Sequence, residues 1–164
     1  MKKIILSIIC LQILLVSCKK SADVAPAVTV DASPIDKTKL LALVNATRLA
    51  GCVCGTTNMP AVKVVVWNDL LELAAVNHSR DMNQNKYFSH TSQDGRTVGQ
   101  RITAVNYKWT SLSENIAQGF ANEEAVIQGW KNSEGHCKGI MSGDVTEMGV
   151  GKSGDYWTQV FAKQ

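Results

Sequence analysis

From residue 36 onward, the spacing of apolar residues changes from a period of three to four into short alternating runs. The strongest helical pattern is NDLLELAAVNHSRDMNQN, residues 68–85. Leu71, Ala74, Ala75, His78 and Met82 recur at steps of three and four, while Asn77, Arg80, Asp81 and Gln84 fall on the other side. Asn68 is placed to cap the start and Asp69 lies in the first turn. An earlier helix is expected in DKTKLLALVNATRLAG (36–51), capped by Asp36, with Leu40, Leu43 and Val44 at helical spacing and Gly51 as the stop. TVGQRITAVNY (97–107) reads as a short, weakly patterned third helix. NEEAVIQGWKNS (122–133) reads as a fourth, with Asn122 as cap, Glu123 and Glu124 at the positive end of the dipole, and Val126, Ile127 and Trp130 turned inward.

Strand patterns are fewer. AVKVVVW (61–67) is rich in β-branched residues and reads as a strand or an extended segment. At the C-terminal end, TEMGVG and DYWTQVFA flank KSGD, a glycine turn of hairpin type. Strands and helices do not alternate at regular spacing, which excludes a doubly wound parallel sheet. The expectation is an α+β domain, an antiparallel sheet with helices packed on it. A chain of 164 residues supports one such domain with a real core.

The N-terminal stretch MKKIILSIICLQILLVSC is of another kind. Lys2 and Lys3 precede an apolar run from Ile4 to Val16, short of the ~20 residues a membrane span needs. The run ends in LVSC, which resembles a bacterial lipobox, where cleavage precedes a cysteine that is then lipidated. The rival reading is an ordinary secretory signal that ends near a cysteine. On the lipobox reading Cys18 carries the anchor, Cys10 is lost with the signal, and the protein is an exported lipoprotein of the bacterial cell envelope, on the outer membrane or facing the periplasm. KKSADVAPAVTVDASP (19–34) is small-residue and proline-containing, as a flexible tether is; such a chain spans about 20–25 Å root-mean-square. The expected organisation is a signal at 1–17, a tether at 18–35 and a domain at 36–164.

Charge narrows the partners. Removing Lys2 and Lys3 leaves fifteen basic against fourteen acidic residues. A net charge of +1 gives no electrostatic case for nucleic acid.

Past Cys18 three thiols remain, Cys52, Cys54 and Cys137. Export favours disulfides. A Cys52–Cys54 bridge is disfavoured, because residues two apart rarely bring their Cβ atoms to about 3.8 Å without strain. Either of the two joined to Cys137 is the better reading. Zinc is the rival, but the spacing is C-x-C rather than the usual C-x₂₋₄-C, and no fourth ligand stands out.

Three histidines complete the inventory. His78, on the apolar stripe, reads as a hydrogen-bonded core residue. His90 in FSHT and His136 in SEGHC read as loop residues, and loops carry function more often than element interiors. The YF before Ser89 and His90 is expected to enter the core and leave the imidazole outside. No H-E-x-x-H is present, and Ser89, Thr91 and Ser113 suit turns and caps as well as chemistry.

AAVNHSRDMNQNKYFSHTSQDGRTVGQRI, SENIAQG, GWKNSEGHCKGIM and TEMGVGKSGDYWTQVFA together resemble the bacterial branch of the CAP superfamily, which comprises cysteine-rich secretory, antigen 5 and pathogenesis-related proteins. The likeness runs in order from about residue 38 to the C-terminus. It implies a three-layer α-β-α sandwich with a central antiparallel sheet. It also implies a cleft of two histidines and two acids able to hold a divalent cation such as zinc, with His90 and His136 as ligands. By motif the histidines are His90 and His136 and the first acid is Glu114. The second acid is Glu147 of TEMG, with Glu134 as the alternative. CG after the first helix, matched with GHC, implies a Cys54–Cys137 disulfide. Members of this family share no single catalytic activity, and some bind lipids. The function expected is therefore a lipid-anchored extracytoplasmic module binding an envelope lipid, glycan or peptide. The alternative is a metal-assisted hydrolase of peptide or cell-wall substrate.

Overall fold

A computed structural model describes residues 33–164. The signal segment, Cys18 and the tether up to residue 32 lie outside the described residues.

Helix α1 (Lys37–Ala50) starts where the Asp36 side chain accepts from the Lys39 N–H, and ends at Gly51, whose φ is +70°. Strands β1 (Cys52–Cys54) and β2 (Thr57–Met59) form a small antiparallel hairpin. Strand β3 (Val66–Trp67) is all that the β-branched run contributes to a sheet. Helix α2 (Asp69–Asn85) is capped by Asn68, which accepts from the N–H groups of Leu70 and Leu71, and it buries the expected stripe. Helix α3 (Val98–Ala104) opens on a reciprocal capping box between Thr97 and Gln100. Strand β4 (Ser111–Gln118) follows, then α4 (Glu123–Asn132), α5 (Glu134–Ile140), and the hairpin β5 (Glu147–Ser153) with β6 (Tyr156–Lys163).

The main sheet has the order β3-β5-β6-β4. It is antiparallel except for the two-residue β3–β5 pairing. Alternation along the strands sends side chains to two different cores. Met148, Val150, Trp157 and Phe161 join Leu40, Val44, Val126, Ile127, Trp130 and Ile140 beneath α1, α4 and α5. Val160 and Ala162 join Leu71, Ala74, Ala75 and Ile102 beneath α2 and α3. Helices therefore cover both faces, and the fold is the three-layer α-β-α sandwich.

Helix α2 sits unusually close to the sheet because β5 offers glycines there. A Cβ on Gly149 would lie 2.1 Å from the Glu72 nitrogen, and one on Gly151 would lie 2.2 Å from the Val76 nitrogen. On the other face, fully buried Arg48 of α1 donates to the carbonyls of Lys63, Ile140, Ser142 and Val145. It thereby ties α1 to the end of α5.

Two sequence expectations need correction, and two strands were not anticipated. His136 lies inside α5, not in a loop, and Glu134 starts the same helix. The segment is short and glycine-containing, so its helical period is hard to see; it gains its hydrophobic anchor from Cys137 and Ile140. Phe88 does not enter the core: it is 50% exposed, and only Tyr87 packs inward, against Met82, Ile116 and Tyr156. SENIAQ belongs to a full strand, β4, and CVC to a hairpin strand, neither of which the apolar pattern showed.

Candidate functional site

Strand β4 is an edge strand, and its alternation separates the parts of the site. Leu112, Glu114 and Ile116 point toward α2 and α3; Ser113 and Asn115 point toward α5, where a Cβ on Gly139 would touch both.

On the first face, the Glu114 carboxylate is 2% exposed and both of its oxygens are engaged. Arg101 Nη2 donates to Oε2 at 2.5 Å, and His90 Nδ1 lies 2.8 Å from Oε1. Arg101 is itself buried, at 5% exposure, and its Nη1 donates to the His90 carbonyl at 2.8 Å, to Ser92 Oγ at 3.1 Å and to the Arg96 carbonyl at 3.0 Å. One guanidinium thus fixes both the carboxylate that orients the His90 ring and the backbone that carries it. His78 secures the preceding residue, since its Nε2–H donates to the Ser89 carbonyl at 2.9 Å. With Nδ1–H directed at Glu114, the His90 Nε2 lone pair is the free end of the ring. The His90 side chain is 55% exposed, so that end is open to a ligand.

On the second face, α5 presents His136. Its carbonyl accepts from Asn115 Nδ2 at 3.2 Å, and Asn115 also donates to Gln159 Oε1 at 3.0 Å. Burial lowers the His136 pKa below the ordinary imidazole value, and the nearby His90 charge lowers it further.

Neither candidate for the second acid hydrogen-bonds to this group. Glu147 accepts from Asn68 Nδ2 at 2.9 Å and from the Tyr107 hydroxyl. Burial, then the bond to Glu147, raises the Tyr107 pKa, so the phenol stays a donor. Glu134 pairs with Lys138 at 2.6 Å on the exposed side of α5.

Cys54 and Cys137 are joined as a disulfide with their Cα atoms 5.5 Å apart, and Cys52 is free. The bridge links the β1–β2 hairpin to α5, one residue from His136. Among the described residues, the group of three or more His, Cys, Asp or Glu with donor atoms close enough to share an ion is Cys52, Cys54 and Cys137. His90, Glu114 and His136 do not form such a group. Any cation in the cleft would rest on the two imidazoles, because Glu114 is spent on His90 and Arg101.

The larger grooves lie elsewhere. One of about 710 Å³ runs beside α3 past Trp109 and Leu112, and one of about 740 Å³ lies between α1 and α4. Neither groove is lined by His90, Glu114 or His136.

Sequence reasoning missed Arg101. The signal was present: it is the single charge in the eleven residues from Thr97 to Tyr107. A lone charge in an amphipathic helix of this size calls for a partner.

Comparison with known proteins places these features in context. The pattern of the CAP, cysteine-rich secretory protein family, matches residues 41–161. The chain is 37% identical over 98 residues to the membrane protein YlbC of Bacillus subtilis, covering 60% of this chain and 28% of that one. Among solved structures it is similar to an extracellular SCP-domain protein of Bacillus anthracis, with TM-score 0.70 and 28% identity, over 81% of this chain and 45% of that one. An outer surface protein of Borrelia burgdorferi shares the fold, with TM-score 0.66 and 21% identity, over 81% of this chain and 98% of that one. The chain thus spans less than half the length of YlbC and of the Bacillus anthracis protein. No helix among the described residues is long and apolar enough to cross a membrane.

Proposed function

Because the chain belongs to the cysteine-rich secretory protein family, we propose that it is an exported binding module. Its cleft, built on His90, Glu114 and His136, engages an extended glycan or peptide of the cell envelope. One observation carries this reading: both oxygens of the Glu114 carboxylate are already committed, to His90 and to Arg101. A carboxylate so held orients an imidazole but is not free to act as a general base. No serine, threonine or cysteine side chain hydrogen-bonds to the ring of His90 or His136 among the described residues, so no side-chain nucleophile is activated there. The His90 ring is 55% exposed beside the edge strand, which suits a polymer laid across it better than an enclosed small molecule.

The family's divalent cation fits this donor set only as a two-histidine site. His90 Nε2 and His136 would hold it, and the cation would supply a point of attachment for an anionic group. Protonated imidazole cannot coordinate, and burial lowers the His136 pKa, so acid disables that ligand only at lower pH than it would an ordinary histidine.

Export is supported by the N-terminal segment and by the extracellular relative. A lipid on Cys18 would hold the domain on a tether near a membrane surface. Cys18→Ser is expected to release the protein or leave it unprocessed. Unchanged membrane fractionation with a cleaved signal would refute the anchor.

The function is tested by saturable retention on purified cell-wall glycan and peptide fractions. The expected result is retention without turnover, lost in His90→Ala and His136→Ala. Turnover of either fraction that is abolished by His90→Ala would instead establish the metal-assisted hydrolase. Retention by lipid vesicles alone would move the ligand to the lipid class.

A further inference from the structure

The free thiol of Cys52 stands broadside to the disulfide, its Sγ 3.6 Å from Cys137 Sγ and 3.8 Å from Cys54 Sγ. Direct exchange needs the attacking sulfur in line with the S–S bond, so near-equal distances to both sulfurs are the wrong geometry for it. They are the right geometry for something else. A tetrahedral ion with metal–sulfur bonds of about 2.3 Å has sulfur ligands about 3.8 Å apart. Two edges of that triangle already exist.

We propose that reduction of Cys54–Cys137 converts this cluster into a three-thiolate site for a thiophilic cation of the zinc or copper(I) type. The site is distinct from the histidine cleft and gated by the disulfide. Two external thiols deliver two electrons and two protons to the bridge, leaving two cysteine thiols and an external disulfide. The third edge then opens from a covalent bond to a ligand separation. Binding of a divalent ion by Cys52, Cys54 and Cys137 releases three protons to solvent and leaves one unit of negative charge on the complex. Cys54 and Cys137 are fully buried, which keeps two ligands away from water. Cys52 lines the groove between α1 and α4, with Asn122, Gln128 and Lys131 along it. That groove provides the route for the ion and a fourth position for water, and its lining carries one base, Lys131, and one acid, Glu124. The pairing of C-x-C with one distant cysteine departs from the usual C-x₂₋₄-C spacing of zinc sites. Here β1 and α5 supply the geometry.

The test uses the full chain with Cys10→Ser and Cys18→Ser, so that the cluster holds every remaining thiol, and with His90→Ala to weaken the cleft. Protein reduced with a phosphine is titrated anaerobically with cobalt(II), then with zinc(II), while thiolate-to-cobalt absorption and far-ultraviolet circular dichroism are followed. One cobalt per chain is expected, with a thiolate charge-transfer band, in the reduced protein and not in the oxidised one. Zinc should displace it. Cys52→Ser keeps the disulfide and the fold, and after reduction it should bind at least roughly 100-fold more weakly, since even losing a supporting contact costs about 10–100-fold. Equal binding by reduced Cys52→Ser and its parent would overturn the proposal. So would a missing band, or loss of the folded signature on reduction before metal is added.

Discussion

His90 and His136 are held on opposite faces of β4, and the two faces hold their histidines by different physics. On the α2–α3 face the device is electrostatic. A buried guanidinium and a buried carboxylate neutralise each other, and the imidazole hangs from the carboxylate. On the α4–α5 face the device is covalent and apolar. The helix bearing His136 is tied to β1 by the Cys54–Cys137 bridge and seated in a core that contains Trp130 and Trp157. The difference teaches that one histidine is poised by charge and the other by packing. Perturbations of charge should therefore dislodge His90 and spare His136, and perturbations of covalency should do the reverse.

The largest effect is expected from Arg101→Met. It leaves the Glu114 charge buried without its partner and removes three further bonds to the His90 loop. Breaking a buried pair from one side costs about 3–5 kcal/mol. Urea unfolding measures the loss, and the His90 ring resonance should lose its single environment while that of His136 keeps it. A stable variant with His90 unmoved would show that the network does not position the ring.

Next comes the bridge. Cys54→Ser together with Cys52→Ser prevents re-pairing and should cost about 2–4 kcal/mol. In this variant the His136 environment should broaden and the His90–Glu114 contact should persist. The opposite pattern would break the comparison.

These two devices were not equally legible. The helices could be read because their caps and periods are local: Asp36, Asn68 and Asn122 cap the helices the sequence assigned to them. The bridge and the His90–Glu114 pairing came through family resemblance rather than through spacing. Strand β4 was hidden because both of its faces carry polar groups. Glu114 and Asn115 are inward-facing but satisfied by Arg101 and Gln159, so hydrophobic alternation never appears. Arg101 was missed for the same reason: its partner lies 13 residues away on another element. The family motif named Glu147, yet its register on β5 puts it beside Asn68 and Tyr107, a relation no linear spacing encodes.

A smaller effect is expected from pH. Burial first, and then the Arg101 charge, lower the His78 pKa below its ordinary value, against weaker opposing influences from Glu114, the Ser89 carbonyl and Asp81. With Nε2–H given to Ser89, its buried Nδ1 has no partner, so a second proton there would be stranded. The unfolded chain takes up that proton at about 6.5, the folded chain only at lower pH. Stability from His78 is therefore present above 6.5 and lost as pH falls from there through the folded value. His136 shifts in the same direction but is more exposed. Unfolding free energies at pH 7.5 and 5.5 should converge more in His78→Gln than in His136→Gln. Equal convergence would mean that the two faces respond alike to acid.

The smallest effect is expected from Glu134→Gln. Glu134 and Glu147 compete for the place of second acid, and their surroundings separate them. The Glu134 side chain is 49% exposed and its partner Lys138 is 44% exposed, one helical turn along α5. Exposed pairs at this spacing contribute about 0.3–0.5 kcal/mol, and salt screens them. The carboxylate also lies against Gly55 of the β1–β2 turn. Removing its charge should shift stability by no more than about 0.5 kcal/mol and leave retention on envelope fractions unchanged. Glu147→Gln, by contrast, disturbs a network of Asn68 and Tyr107 that joins α2, β5 and the segment after α3, and should cost more in stability. If Glu134→Gln abolished retention while folding normally, α5 would contribute a carboxylate as well as an imidazole, and the charge-poised and packing-poised halves of the cleft would no longer be separable.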